Sequence, residues 1–365
     1  MLSAVIICPT SQVVNVLIYN CSAHRNSSAI VPHATWQIIE QVFILTVLTI
    51  IILGAFLGNL LVIVSIVYFT KLRTLTNAFL LSLAVADFLV GIIVMPFSMI
   101  KVMFGWYFGK AFCTIHTVMD VMLCTSSIMN LSCIAFDRYY AVCYRLRYRF
   151  RVSRKRVTTL LLVCWVLPGL VSFVPLLLGL HLTGLETIHS QLDPHDCVFI
   201  VNIPYALCAS VISSYLPMLV MLAAYGKIFQ VARIQARQIY TMENGSHEMD
   251  ATRFHHSTST KKERKAAKTL GIIIGCFLFC WLPFFTANIA NALLGYQVHH
   301  IVLDVFVWLG YVNSALNPLL YALFNKSFRR AFGLILDCTI FTKDYQNNNL
   351  SNAVRPNSQL ATLSH

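Results

Sequence analysis

Apolar residues occur along this chain in seven long runs, with the polar residues collected between them. The first run, Gln41 to Phe69, has no charged side chain and holds a single Asn, Asn59, in its second half. A hydrocarbon core of about 30 Å needs roughly 20 apolar helical residues to cross it, so each run is long enough to be a transmembrane helix. The other predicted spans are 75–103, 110–143, 157–180, 202–234, 264–294 and 300–323. The pattern predicts an all-α membrane protein, a seven-transmembrane helix bundle over residues 40–324, preceded by an N-terminal segment 1–39. Residues 325–337 are short, basic and amphipathic and predict an eighth helix on the membrane surface, ahead of a tail at 338–365.

Composition agrees: the 365 residues are 58% hydrophobic and 11% charged, where a soluble globule carries about 25% charged residues. The formal charge of +13 is unevenly placed. Lys71 and Arg73, Arg145 to Arg156, Lys227 to Lys268, and Lys326, Arg329 and Arg330 all follow odd-numbered spans. Only Arg25, Lys101 and Lys110 fall at the other face. Cytoplasmic loops carry the excess of Lys and Arg, which puts the N-terminus outside and the C-terminus in the cytoplasm of a multi-pass cell-membrane protein. The positive charge then faces anionic inner-leaflet lipid, and no nucleic-acid partner is expected. Sequons at Asn20 and Asn26 lie on the outer side of that topology, where glycosylation is possible.

Most of the twelve cysteines lie inside spans, where a thiol behaves as a small buried hydrophobe. Cys113, at the outer end of the third span, and Cys197, in the loop between spans four and five, share the oxidising side and are expected to be joined. Cys8 and Cys21 either pair or stay free. Cys338 follows the amphipathic stretch and is either a palmitoylation site or a plain cysteine.

An ionisable side chain inside a bilayer costs at least ~2.5–3.5 kcal/mol, so each needs a reason. Asp87 lies mid-span with Asn59, Ser127, Asn313, Ser314 and Asn317 available from other spans. They form either a closed hydrogen-bond cluster or a site for a sodium ion, in which Asp87, Ser127, Asn313 and Asn317 are the ligands; no other cofactor is expected. Asp120 sits two helical turns below Cys113, ~10 Å inside the span. A lone carboxylate there is a natural counter-ion for a protonated amine, since neither charge is stable unpaired. From Asp120 to Arg138, in Asp137-Arg138-Tyr139, is five whole turns, so both side chains face the same way ~27 Å apart. Prolines in Cys280-Trp281-Leu282-Pro283 and Asn317-Pro318-Leu319-Leu320-Tyr321 bend spans six and seven and give a switch its two packings.

No metal-ligand spacing, nucleophile elbow or phosphate loop points to an enzyme, and no internal repeat points to a transporter or channel. Gly58-Asn59, Leu83 to Asp87, Asp137-Arg138-Tyr139, Trp165, Pro217, Tyr225, Cys280 to Pro283 and Asn317 to Tyr321 occur in order. Together they resemble the rhodopsin-like (class A) G-protein-coupled receptors over residues 40–338. Within that class, Asp120 with Trp281, Phe284, Phe285, Trp308 and Tyr311 resembles the aminergic subgroup. That resemblance implies an ammonium held at Asp120 under aromatic faces that attract a cation. It also implies a Tyr311 hydrogen bond to Asp120 and ligand contacts at Cys124, Thr125, Ser210 and Asn288.

Cys197 to Asn202, Trp308 to Tyr311 and Asn325 to Arg330 look like serotonin receptors of the type-4 branch. Trp106 to Gly109, Ile115 to Thr117 and Glu263 to Gly271 look like trace amine-associated receptors. That second branch carries a Trp-Phe pair where this chain has Ser327-Phe328. Ser210 and Ser213, three apart on span five, either bond a ligand hydroxyl or pack helices. Asp304 either serves the second ammonium of a diamine or is a plain rim carboxylate. By resemblance, Asp137 and Glu263 restrain Arg138, Ile128, Pro217 and Phe277 relay from the pocket, and Tyr139, Tyr225 and Tyr321 belong to the same switch. The implied partners are a small amine agonist, a heterotrimeric G protein of the stimulatory type that raises cyclic AMP, receptor kinases and arrestin.

Overall fold

The computed structural model describes residues 30–144, 148, 153–191, 197–243 and 251–337. Seven helices in it are long and apolar enough to cross a membrane. They are α1 (Ile30–Tyr68), α2 (Leu75–Phe104), α3 (Gly109–Cys143), α4 (Arg154–Leu177), α5 (Ile203–Ser210 continued through Leu216–Glu243), α6 (Ala251–Leu293) and α7 (His300–Phe324). An eighth, α8 (Lys326–Leu336), packs against α1 and α7. α1 packs on α2 and α7, α6 on α5 and α7, so the ring closes. α3 runs through it, against α2, α4 and α5.

The outward surface is apolar: Phe43, Ile50, Leu162, Leu219, Phe279 and Leu319 are all exposed, as lipid-facing helices require. Polar residues are instead inside, where Asn59, Ser65, Asp87, Ser126, Asn130, Ser172 and Ser214 have no exposure at all. This inversion follows from the solvent, because polar groups in hydrocarbon must find partners within the bundle.

Two helices are interrupted by a π-helical turn, Val90–Val94 in α2 and Val211–Tyr215 in α5. Both sit just ahead of a proline, Pro96 and Pro217. A proline ring clashes with the carbonyl four residues earlier, Ile92 and Ser213, and a wider turn makes room for it. Pro283 and Pro318 sit within continuous helices. At Gly58 a Cβ would lie 2.9 Å from Pro318 Cγ, so the absence of a side chain lets α1 approach the proline segment of α7.

The helix ends have local causes. The Thr74, Ser153 and Asn202 side chains accept from Asn77, Arg156 and Tyr205 backbone N–H groups and cap α2, α4 and α5. Asn325 breaks the chain between α7 and α8, accepting from the N–H groups of Ser327 and Phe328. Cys113 and Cys197 form the expected disulfide, which ties the loop ahead of α5 to the start of α3. Tyr296 donates to the Val201 carbonyl at 2.7 Å and fixes the same loop to the turn between α6 and α7. Asn20, Asn26, Cys8, Cys21 and Cys338 lie outside the described residues.

Candidate functional site

Near the disulfide end, Asp120 on α3 accepts a hydrogen bond from Tyr311 Oη on α7 at 2.8 Å, through Oδ2. Its other oxygen, Oδ1, accepts from Cys124 Sγ one turn on, at 3.2 Å. A thiol is a weak donor and a carboxylate has about four lone-pair sites, so most of the capacity of Oδ1 is unused. Among the described residues no basic side chain pairs with Asp120. Lys101 is engaged elsewhere, 3.5 Å from Asp304 at the rim, where both side chains are about one-third exposed. Asp304 is thus already neutralised by the protein.

Aromatic side chains surround the carboxylate's neighbourhood. Trp308 meets Tyr311 edge-on at 5.3 Å between ring centroids. On α6, Trp281, Phe284 and Phe285 form a contact triangle with centroid separations of 6.1, 5.7 and 5.3 Å. Gly310, beside Tyr311, is what admits Trp281: a Cβ there would lie 2.8 Å from the indole. The Trp281 Nε1 and the Ser210 and Ser213 hydroxyls are buried and make no hydrogen bond. Thr125 is buried and Asn288 half-buried. Donors left unsatisfied in an apolar interior cost free energy unless something else meets them, so these atoms mark where a polar molecule would be received.

One level deeper, Asp87 holds three helices together. It accepts from Ser127 of α3 at 2.7 Å, Ser314 of α7 at 2.8 Å and Asn317 of α7 at 2.7 Å. Asn59 bonds the Ala55 and Ser314 carbonyls instead, and it reaches Asp87 only through Ser314. Asn313 makes no hydrogen bond to Asp87, since neighbouring helical residues point ~100° apart and Ser314 takes that direction. Asn313 Nδ2, Asn59 Oδ1 and Ser126 Oγ are buried without partners. A carboxylate among unpaired oxygens and amides is chemistry that fits a hydrated hard cation.

At the opposite end, Arg138 Nε lies 3.9 Å from Asp137 Oδ2. The Asp137 Oδ1 accepts from Tyr148 Oη at 2.9 Å, and that phenol is bonded to Thr76 Oγ1 at 2.9 Å. Burial pushes the Tyr148 phenol above its ordinary range, which keeps it a donor. Tyr148 and Thr76 carry no motif; only the fold shows that they complete this site. Glu263 falls in α6, but its side chain lies outside the described residues. Between the two ends, Ile128 and Phe277 are fully buried in one continuous core with Trp281, and Pro217 is buried beside them on α5. Tyr225 bonds the Gly271 backbone across α5 and α6. Tyr321 packs on Phe328 of α8 at 5.7 Å, and Tyr139 is half-buried near Arg138.

Seven membrane helices enclose a polar interior, with a half-buried carboxylate, Asp120, towards one end and the Asp137–Arg138 pair at the other, the plan of a membrane receptor. The chain belongs to the rhodopsin family of seven-transmembrane receptors, whose model matches residues 58–321; such receptors join a small-molecule agonist to a G protein. It is 44% identical over 313 residues to the 5-hydroxytryptamine receptor 4 of Homo sapiens, covering 82% of this chain and 81% of that receptor. It is 41% identical over 296 residues to trace amine-associated receptor 365 of Petromyzon marinus, covering 81% and 80%. With trace amine-associated receptor 1 of Mus musculus it shares 39% over 331 residues, 90% of this chain and 96% of the relative.

Proposed function

We propose that this receptor binds a small protonated monoamine from outside the cell and signals through a stimulatory G protein that raises cyclic AMP. The observation that carries the reading is Asp120: a carboxylate oriented by Tyr311, with no protein cation beside it among the described residues and an aromatic ring, Trp308, against Tyr311. The ligand's ammonium would bond Oδ1. A polar group on its ring would meet the unpartnered Ser210 and Ser213 hydroxyls, which favours arylethylamines with a ring hydroxyl or indole nitrogen. The printed names of the relatives, 5-hydroxytryptamine and trace amine receptors, point to the same class. A diamine is the weaker reading, because the rim carboxylate that would take its second ammonium is held by Lys101.

The basic ends of the helices lie in the cytoplasm, the N-terminus and disulfide outside. Asp87, Ser127, Asn313 and Asn317 would hold a sodium ion, which supplies counter-charge to Asp87. Ligand depth is sensed at Trp281. Ile128, Pro217 and Phe277 repack, α6 moves, and Arg138 leaves Asp137 for the G protein. Receptor kinases and arrestin would read the same cytoplasmic face.

The test expresses the full chain in cells with a cyclic-AMP reporter and applies serotonin, tyramine, 2-phenylethylamine, putrescine and cadaverine. A monoamine response lost in Asp120→Ala at unchanged surface level supports the reading. A response to diamines alone, or an undiminished one in Asp120→Ala, overturns it.

A further inference from the structure

Behind Tyr311 the structure contains a chain of polar contacts through His116 and Ser98 to which the sequence motifs assign no role. His116 Nε2 on α3 lies 3.1 Å from the Val94 carbonyl oxygen and 3.3 Å from Ser98 Oγ, both on α2. Ser98 Oγ lies 3.3 Å from Tyr311 Oη on α7, and Tyr311 reaches Asp120 at 2.8 Å. His116, Ser98 and Tyr311 are 8%, 7% and 1% exposed, so these bonds are shielded from bulk water.

The direction of every proton follows from what each atom can do. The Asp120 carboxylate only accepts, so the single Tyr311 hydroxyl proton points to it. Tyr311 then has only acceptor capacity towards Ser98, and Ser98 must donate. Ser98 in turn accepts from His116. The Val94 carbonyl also only accepts, which places an imidazole proton on Nε2, shared between Val94 and Ser98. The row His116 to Ser98 to Tyr311 to Asp120 therefore runs with all its donors aimed at the carboxylate. Hydrogen bonds in such a row polarise one another, and a charged terminus strengthens the effect.

We propose that His116 and Ser98 are positioning residues of the amine site, acting through Tyr311 to hold Asp120 oriented for the ligand's ammonium. The inference rests on the amine reading above. With Oδ2 held by the polarised phenol, Oδ1 of the half-buried carboxylate keeps accepting capacity beyond the weak Cys124 thiol, and the incoming ammonium meets a carboxylate that need not reorient. Without the row, Tyr311 is a weaker donor and Asp120 gains torsional freedom that ligand binding must remove. Among the described residues no other charged group pairs along the row: Lys101, one turn outward from Ser98, is taken by Asp304.

A packing role is the rival explanation, because the imidazole also lies against Trp106 and Phe97, with centroids 5.5 and 6.3 Å away. Two substitutions separate them. His116→Gln keeps an amide N–H near the Nε2 position and loses the ring; His116→Phe keeps the ring and loses the donor. Ser98→Ala breaks the row without touching the aromatic cluster.

Tyramine and serotonin titrations on cells expressing the full chain, with surface level measured for each variant, read the result. Expected are losses in potency of about tenfold for His116→Phe and Ser98→Ala and of less than about threefold for His116→Gln. In a Tyr311→Phe background, Ser98→Ala should add nothing, since a broken row cannot be broken twice. A Phe variant that binds like wild type while Gln fails assigns His116 to packing and overturns the proposal. Ser98→Ala at wild-type potency overturns it as well, and decides the matter if His116→Phe does not reach the surface. A wild type silent to both amines overturns the amine reading, and the row loses its purpose with it. A responsive wild type with an unchanged Ser98→Ala overturns the row alone.

Discussion

Asp120→Asn isolates the charge at the centre of the pocket. Asparagine matches aspartate in size, and its Oδ1 can still accept the Tyr311 hydroxyl that now bonds Oδ2 at 2.8 Å. Cavity shape and the α3–α7 link should therefore survive, and what disappears is the anion. Removing one member of a desolvated ion pair costs about 3–5 kcal/mol, because the surviving charge is left buried and unpaired. At 1.4 kcal/mol per factor of ten, agonist affinity should fall by roughly two to three and a half orders of magnitude. Tyr311→Phe leaves the charge and removes one hydrogen bond, with an expected loss nearer tenfold. The assay is competition binding on membranes with matched receptor levels, using serotonin and tyramine. A loss below tenfold for Asp120→Asn, or one no larger than that of Tyr311→Phe, would refute the argument that an ammonium–carboxylate pair dominates binding.

Arg138→Ala should leave agonist affinity within about threefold while removing cyclic-AMP output, since Arg138 lies 18 residues along α3 from Asp120 and its ion pair among the described residues is with Asp137, at 3.9 Å. Normal output would remove Arg138 from coupling. Cys197→Ser opens a cross-link spanning 84 residues, worth about 4–5 kcal/mol by chain entropy, and surface expression measured by flow cytometry should drop severalfold. Unaltered expression and binding would show that the loop is held without the disulfide, by Tyr296 on the Val201 carbonyl and by the Asn202 amide, which donates to the Leu180 and Thr183 carbonyls. Gly310→Ala pushes a methyl to within 2.8 Å of Trp281, and overpacking of that size costs about 1–3 kcal/mol. Basal and agonist-driven cyclic AMP should both shift, and wild-type values for both would mean that Trp281 does not depend on its seat against α7.

The seven spans were legible because hydrocarbon imposes one requirement on every backbone group, and hydropathy records it. Their ends were less so. α1 begins at Ile30 and α6 at Ala251, well before the apolar runs at 41 and 264, because a helix once nucleated extends at little cost through residues such as Lys and Glu. The π-helical turns ahead of Pro96 and Pro217 were invisible, since the prolines alone do not say whether a helix bends or widens. Asp87, Asp120 and Arg138 were legible as charges that need a reason. Ser98, His116, Thr76 and Tyr148 were not, because a serine or histidine in a span is ordinary until helices distant in sequence bring it against another polar atom. Asn59 and Asn313 show the same limit from the other side: both are buried in the interior, but neither bonds Asp87 directly, because that depends on rotation about the helix axis.

The arrangement explains why a ligand at one end can be felt at the other. Asp87 bonds Ser127, which lies two turns past Asp120 on α3, and Ser314, which lies one turn past Tyr311 on α7. The pair that receives the ligand and the cluster beneath it therefore join the same two helices at successive levels. A ligand that draws Asp120 and Tyr311 together changes the offset of α3 against α7, and the Asp87 bonds must lengthen or exchange to follow. Hydrogen bonds to a charged group contribute about 1.5–3 kcal/mol each, comparable to the 1–3 kcal/mol typical of coupling between sites. Ordinary core packing could absorb a small displacement by side-chain adjustment, but a buried carboxylate bonded on three sides has discrete alternatives only. Trp281, seated on the glycine next to Tyr311, would carry the same displacement to α6, the helix whose movement frees Arg138 in the proposed mechanism.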